Sequence, residues 1–268
     1  MRTSRVLPVL LLAGALLPVP KLRAQPVGIA KASVRTLPAG KLIVIGFMGG
    51  NVSADNLLHR EASVAQELQQ RYPLRLHAVV FANRDGRSAL RTVLHLLDAN
   101  GDGRLTAAEK GAARIVIYGH SWGASETVTL ARRLNELGVP VLLTIQVDSV
   151  EKSREDDGSI PPNVLEAVNF YQTHGLVHGR SLIAAMDPSR TTILGNYESS
   201  YREHPVSCAG FPCLARMFMH PHIEIENDPS VWTRIEALIR AEVDWSGPED
   251  TRTAAQVIDT LSVRLPLR

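Results

Sequence analysis

The chain has 268 residues, of which 45% are hydrophobic and 21% charged, and its formal net charge is +2. This composition is typical of a globular protein, and the length fits one α/β domain or two small ones. The near-neutral charge and an aromatic content of only 5% argue against a polyanionic partner, so no nucleic-acid-binding surface is expected.

The first residues have the pattern of a secretory signal peptide. Two arginines lie within the first five residues, residues 6–17 form an almost unbroken apolar run, and Ala24 offers a small residue before a cleavage point. The run is too short to span a bilayer comfortably, and no later stretch is long enough. We therefore predict a signal peptide at residues 1–24, export to the periplasm or the medium, and a single mature domain at residues 25–268 without a membrane span.

Apolar, β-branched runs alternate with helical patterns along the mature chain. Strands are predicted at residues 42–46, 76–81, 114–119 and 141–148, with a weaker run at 191–197. Helices are predicted at residues 55–71, 88–97, 124–137 and 231–243, where apolar residues recur at helical spacing. This alternation favours an α/β fold with a mostly parallel central sheet and helices on both faces. Residues 163–186 are interpreted as a sheet-covering helix in preference to a cap over a site.

Residues 98–109 match the twelve-residue EF-hand loop, which binds calcium through oxygen ligands. The predicted ligands are the side chains of Asp98, Asn100 and Asp102, the carbonyl of Arg104, Thr106 directly or through water, and a bidentate Glu109. Because the motif occurs once, it favours a structural Ca²⁺ site over a sensor. The loop precedes the strand at residues 114–119, so the ion is expected roughly 20 Å from that strand's far end. The alternative is a surface turn that binds no ion.

The sequence Gly-His-Ser-Trp-Gly at residues 119–123 is a G-x-S-x-G motif between a predicted strand and a predicted helix. In that context the motif forms a sharp turn that strains the serine backbone and exposes its hydroxyl. Gly119 and Gly123 supply the room that the turn needs, and the N–H of Trp122 is placed to stabilise an oxyanion. This pattern predicts Ser121 as a nucleophile, and the alternative is a tight turn with a capping serine.

With this turn, the chain resembles the α/β-hydrolase superfamily, in particular its lipase- and thioesterase-like members. The resemblance spans residues 41–243 and includes the Phe-Met-Gly-Gly turn after the first strand and the segment at residues 222–229 before the last helix. It implies an α/β-hydrolase fold, and it implies that the N–H of Phe47 or Met48 is the second oxyanion donor. It also implies that the catalytic residues follow the chain order serine, acid, histidine.

A serine nucleophile needs a base, and the base needs a carboxylate to orient it. The chain order excludes His59, His77 and His95 as the base. An expected loop between the last strand and the last helix favours His222 over the remaining candidates, His174, His178, His204 and His220. Asp148 is the favoured acid because it ends the strand that follows the nucleophile helix. Two later carboxylates, Asp187 and Glu198, remain alternatives.

Together these features predict a serine hydrolase that cleaves a carboxylic ester or thioester of a small molecule or lipid through an acyl-enzyme. Calcium is the one cofactor implied, and no organic cofactor is. Two alternatives remain, namely a non-catalytic, calcium-stabilised binding protein of the same fold and a serine peptidase.

Two cysteines, Cys208 and Cys213, lie close together in the sequence. In an exported protein an even, closely spaced pair favours a disulfide. The alternative is a pair of free thiols.

Overall fold

A computed structural model describes residues 40–153 and 155–244. Within these ranges the strands are β1 (Leu42–Met48), β2 (Leu76–Ala82), β3 (Ile115–His120), β4 (Val141–Val147), β5 (Ser159–Ile160), β6 (Val164–Tyr171), β7 (Ala184–Ala185) and β8 (Thr192–Glu198). One sheet contains six strands in the order β2-β1-β3-β4-β6-β8, and every pair in it is parallel. The short strands β5 and β7 pair with each other apart from this sheet.

The helices of the described ranges cover both faces of the sheet. They are α1 (Arg60–Arg71), α2 (Gly86–Leu97), α3 (Ala107–Gly111), α4 (Trp122–Glu136), α5 (Cys213–Asn227) and α6 (Pro229–Asp244). On one face, Val64 of α1 and Trp232 of α6 join a buried cluster with Tyr118 of β3. On the other face, Val93 of α2 and Leu130 of α4 join a second cluster. Burial on both faces explains why the strands are nearly continuous apolar runs.

The predicted α/β fold class, with a mostly parallel central sheet and helices on both faces, is confirmed. The strands predicted at residues 42–46, 76–81, 114–119, 141–148 and 191–197, and the helices predicted at residues 55–71, 88–97, 124–137 and 231–243, each overlap an element of the same kind in the structure. The interpretation of residues 163–186 as a helix is wrong, because Val164–Tyr171 forms β6 in the sheet between β4 and β8. A short run of apolar residues does not by itself distinguish a buried strand from a buried helix. Helix α5 was not predicted.

The predicted signal peptide at residues 1–24 lies outside the described residues. Its cleavage and the resulting domain at residues 25–268 stay predictions, as does export. None of the described helices has the length and apolar character needed to cross a membrane.

Both cysteines are free thiols in the structure, contrary to the predicted disulfide. The thiol of Cys208 is directed inward, where it donates a weak hydrogen bond to the carbonyl of Val206 at 3.5 Å. It packs in a small apolar cluster with Phe211 and Ile223. Cys213 begins α5 and is exposed. Burial is the main reason that the pKa of the Cys208 thiol rises to about 11.

Candidate active site

Ser121 occupies a strained turn between β3 and α4. Its φ of 57° and ψ of −125° lie outside the regions that a residue with a side chain normally adopts. The flanking glycines make the turn possible, because a Cβ on Gly119 would lie 2.5 Å from the carbonyl of Gly123. A Cβ on Gly123 would lie 2.2 Å from the carbonyl oxygen of Phe47 in β1. The motif thus reflects steric necessity at both glycines.

Asp148 directly follows β4, and its side chain is fully buried. Its Oδ1 accepts hydrogen bonds from the backbone N–H of Gln172 at 3.1 Å and of Gly179 at 2.7 Å. Its Oδ2 accepts from the Gln172 side-chain amide at 2.7 Å and from Nδ1 of His222, also at 2.7 Å. Four donors therefore fix both oxygens of this carboxylate.

His222 lies in α5 and not in the predicted loop. The helix is kinked at Met219, whose φ of −127° and ψ of 22° are not helical, and Pro221 follows the kink. Proline is tolerated there because the first turn of a helical segment leaves its N–H groups without helical partners. The segment after the kink carries the His222 ring to Asp148.

The second ring nitrogen of His222, Nε2, is buried and has no hydrogen-bond partner within the part of the chain that the structure describes. His222 and Ser121 line the same cavity, which has a volume of about 530 Å³. Because Nδ1 donates its proton to Asp148, the Nε2 lone pair is left available to accept one.

The two alternative acids have other partners. Asp187 accepts hydrogen bonds from the backbone N–H and the hydroxyl of Ser189, so it stabilises a local turn. Glu198 accepts a hydrogen bond of 2.6 Å from the hydroxyl of Thr173. Of the three candidate carboxylates, Asp148 is the one hydrogen-bonded to His222.

The predicted oxyanion donors belong to two elements, the start of α4 and the end of β1. Trp122 is the first residue of α4, so its N–H has no helical acceptor one turn earlier. The side chains of Phe47 and Met48 are fully buried at the end of β1. The residues of that turn that line the cavity are Gly49 and Gly50. The assignment to Phe47 or Met48 stays a prediction.

One wall of the cavity is apolar and comes from the segment leading into α5 and from α5 itself. Phe211, Ala215, Met219 and Ile223 contribute to it. The cavity therefore combines the polar Ser121 region with a surface suited to hydrocarbon.

His120 contacts the candidate base directly. Its ring centroid lies 4.4 Å from that of His222, and its Nε2–H donates to the His222 carbonyl at 3.1 Å. Burial first, and then the neighbouring His222 and His59, hold the pKa of His120 well below its usual value. A neutral His120 places no positive charge beside His222.

Three further polar residues of the site were missed by sequence reasoning, namely His59, Glu61 and Glu226. Nδ1 of His59 lies 2.5 Å from Oε1 of Glu226. Oε1 of Glu61 accepts a hydrogen bond from the N–H of Gly49 at 3.0 Å. Burial, followed by the charge of Glu226, raises the pKa of Glu61 to about 8. The available signal was a charged residue, Glu61, on the apolar stripe of the helix predicted at residues 55–71.

The first half of the predicted calcium loop is folded around its own side chains. Oδ2 of Asp98 accepts from the N–H of Gly103 at 2.8 Å, and Oδ1 of Asn100 accepts from the N–H of Asp102 at 3.0 Å. Oδ1 of Asp102 accepts from the N–H of Arg104 at 2.8 Å. Gly103 has a φ of +77°, which favours glycine and allows the sharp turn.

The second half of the loop closes back on the first. Oε1 of Glu109 accepts from the N–H of Ala99 at 2.9 Å, which links both ends of the loop. Thr106 and Glu109 form a capping box at the start of α3. The loop thus joins α2 to α3, as the helix-loop-helix pattern predicts.

No protein-family model matches the chain, and no curated protein matches it either. Similar solved structures include a cutinase-like protein from Cryptococcus sp., with 11% identity over 79% of this chain and 98% of that chain and a TM-score of 0.39. They also include an acetyl xylan esterase, with 10% identity over 77% of this chain and 100% of that chain and a TM-score of 0.36. A thermostable esterase from Pseudomonas putida has 12% identity over 87% of this chain and 78% of that chain, and a TM-score of 0.35. Such low scores carry no information about the substrate, so function is inferred from the residues of the site.

Proposed function

We propose that this chain is a serine hydrolase that cleaves a carboxylic ester through an acyl-enzyme. Ser121 is the nucleophile, His222 the general base and Asp148 the carboxylate that orients it. The observation that carries this proposal is the 2.7 Å hydrogen bond from His222 to Asp148, in a cavity that His222 shares with the strained Ser121.

The chemistry follows from the tautomer of His222. With its Nδ1 proton held by Asp148, Nε2 takes the proton of Ser121 as the hydroxyl oxygen attacks the ester carbonyl carbon. The tetrahedral intermediate collapses, the C–O bond to the alcohol breaks, and His222 gives its proton to the leaving oxygen. Water, deprotonated by His222, then attacks the acyl carbon, the bond from that carbon to the Ser121 oxygen breaks, and His222 returns the proton to Ser121 as the acid leaves. Asp148 stabilises the imidazolium that forms in each half-reaction.

The oxyanion is stabilised by backbone N–H groups. The first donor is Trp122, at the positive end of the α4 dipole. The second comes from the end of β1 or the turn that follows it, with Phe47 and Met48, the last two residues of β1, as the predicted donors. Gly50 is a third candidate, because it lines the cavity, whereas the N–H of its neighbour Gly49 is already bonded to Glu61.

The apolar cavity wall favours an ester with a hydrocarbon acyl group, from a small molecule or a lipid. The first half of α5 extends this apolar surface outward, since Leu214, Met217 and Phe218 are exposed there. A thioester fits the same mechanism. The two rival functions, a non-catalytic binding protein and a serine peptidase, differ from this one in having no turnover or a peptide substrate.

The test is labelling of the purified protein with a fluorophosphonate, followed by intact-mass measurement. We expect one adduct on the wild-type chain and none on Ser121→Ala. Ser125→Ala is a matched control, since Ser125 is a buried serine one turn further along α4, and this variant should still be labelled. A folded wild-type protein that takes no adduct would favour the non-catalytic alternative, and turnover of p-nitrophenyl esters but not peptides would exclude the peptidase.

We further propose that residues 98–109 bind one Ca²⁺ as a structural ion. The donors would be Asp98, Asn100, Asp102, Arg104 through its carbonyl, Thr106 or its water, and Glu109. The residues fit this ion because three carboxylates and an amide oxygen share one loop whose ends are already joined by Glu109. The ion would fasten the connection from α2 to β3 at the end of β3 away from Ser121.

Calcium removal tests this site. Dialysis into calcium-free buffer should lower Tm while leaving the rate of fluorophosphonate labelling at low temperature unchanged, because the ion would lie at the end of β3 away from Ser121. Glu109→Gln should abolish the calcium-dependent rise in Tm. Loss of labelling without loss of stability would overturn the structural role.

Export after cleavage of residues 1–24 is part of the same proposal. Amino-terminal sequencing of the protein from the periplasm or the medium tests it, with Gln25 as the expected first residue.

A further inference from the structure

A second group of polar residues lies beside the cavity that contains Ser121, and two of its three members line that cavity. It consists of His59 at the amino-terminal cap of α1, Glu61 in the first turn of α1, and Glu226 near the end of α5. Each offers one nitrogen or oxygen atom within 4.8 Å of those of the other two. Among the described residues, it is the one trio of His, Cys, Asp or Glu side chains that meets this distance.

The two carboxylates of this group are buried to an unusual degree. Glu61 is 0% exposed and Glu226 3% exposed. Oε2 of Glu61 has no hydrogen-bond partner within the described part of the chain. A buried carboxylate oxygen without a hydrogen-bond partner is costly, and a cation bound by all three side chains would give it a partner.

We propose that His59, Glu61 and Glu226 bind one divalent transition-metal cation, for which Zn²⁺ is the best match. One imidazole and two carboxylates supply three protein ligands, which is the number found in zinc sites that keep an open position. Calcium and magnesium prefer six or more oxygen ligands and would be poorly served here. His59 and Glu226 line the cavity, so water can reach the fourth position.

A cation at this position would stabilise both sides of the catalytic cavity. Oε1 of Glu61 holds the N–H of Gly49 in the turn beside Ser121. Oε2 of Glu226 lies 3.6 Å from Nδ1 of His120, whose ring packs on His222. The metal would therefore tie the start of α1 to α5. Binding itself does not depend on the proposed hydrolase activity, so the two proposals can fail separately.

The probe is ZnCl₂ alone, added to the full-length purified protein after chelation and dialysis. Isothermal titration calorimetry should give one zinc per chain, elemental analysis after gel filtration should retain it, and Tm should rise on binding. His59→Gln and Glu226→Gln should each weaken zinc binding at least about tenfold, the lower end of the losses that follow disruption of metal sites. Each variant's far-ultraviolet circular dichroism checks that it has folded.

Two control variants separate this site from other places where zinc could bind. Glu109→Gln alters the proposed calcium loop and should leave zinc binding unchanged. His220→Gln removes an exposed histidine that lies 3.1 Å from Glu224 and should also leave it unchanged. Zinc binding that survives His59→Gln and Glu226→Gln, or that is lost in either control, would overturn the proposal. So would the absence of zinc binding by the folded wild-type protein.

Discussion

Replacement of Asp148 by Asn tests the candidate triad at its most constrained member. The carboxylate is fully buried and accepts four hydrogen bonds, two on each oxygen. Asparagine has one oxygen and one NH₂ group, so one end of its side chain must point a donor at two donors. In one orientation the NH₂ group meets the backbone N–H of Gln172 and of Gly179. In the other it meets the Gln172 side-chain amide and Nδ1 of His222.

The magnitude follows from these contacts. A hydrogen bond to a charged group contributes about 1.5–3 kcal/mol, so the loss of two predicts about 3–6 kcal/mol of destabilisation before relaxation. The His222 ring can relieve one conflict by moving its proton to Nε2, but that tautomer can no longer accept the proton of Ser121. We therefore expect kcat/KM to fall by about 10⁴-fold, the size seen when the acid of a serine protease triad becomes an amide.

The assay measures kcat/KM on p-nitrophenyl esters together with the free energy of unfolding in urea. Asp187→Asn and Glu198→Gln are matched controls, because they alter the two alternative acids in the same chemical way. Both should retain kcat/KM within about twofold, since neither carboxylate is hydrogen-bonded to His222. A folded Asp148→Asn with wild-type activity, or a large loss in either control, would refute the assignment.

Two more variants test the fold around the site. Burial, and then Glu242, raises the pKa of Glu166 to about 7, so in the folded state this carboxyl holds its proton more tightly than in the unfolded chain. The stability that this protonated carboxyl contributes is fully present below the unfolded pKa and is lost as pH rises to about 7. At pH 8, Glu166→Gln should therefore be more stable than wild type by about 1 kcal/mol, a value reduced to allow for the partial exposure of the side chain. Glu136→Gln is the exposed control, and both variants are measured in the same urea titrations. Gly123→Ala would place a Cβ 2.2 Å from a backbone oxygen and should lower the free energy of unfolding by about 3 kcal/mol or more. Gly111→Ala is the control, because its Cβ would meet nothing within 4 Å, and it should leave stability unchanged or slightly increased. Equal pH profiles for both glutamine variants, or equal Tm values for both alanine variants, would contradict these two explanations.

The sequence was most informative where the physical constraint is local. The turn at residues 119–123 needs a strand, two glycines and a helix within a short stretch, and the motif together with the apolar patterns on either side of it indicates all of them. The chain order excluded the histidines that lie well before Ser121 but left Asp148, Asp187 and Glu198 as candidate acids, and of these the structure brings Asp148 to His222. In contrast, the surroundings of α5 were not predicted, because its kink at Met219 and the path that brings His222 inward depend on tertiary packing.

The residues that hold Asp148 show why the rest could not be predicted. Gln172 and Gly179 follow β6, a strand that the apolar pattern did not distinguish from a helix. Their contacts with Asp148 depend on the parallel register of β4 with β6, which brings the ends of these two strands together. A pattern of residue types contains no information about strand register, so the sequence did not indicate that these two residues bind Asp148.

The two imidazole–carboxylate pairs of the cavity differ in a way that bears on their roles. In the first, Asp148 has four hydrogen-bond donors, so the negative charge next to His222 is fully compensated. In the second, His59 and Glu226 lie beside the under-compensated carboxylate of Glu61. A carboxylate held by four donors is fixed in place to orient a base, whereas a buried carboxylate oxygen without a donor is suited to bind a cation. The same cavity therefore provides one site suited to proton transfer and, beside it, one suited to binding positive charge.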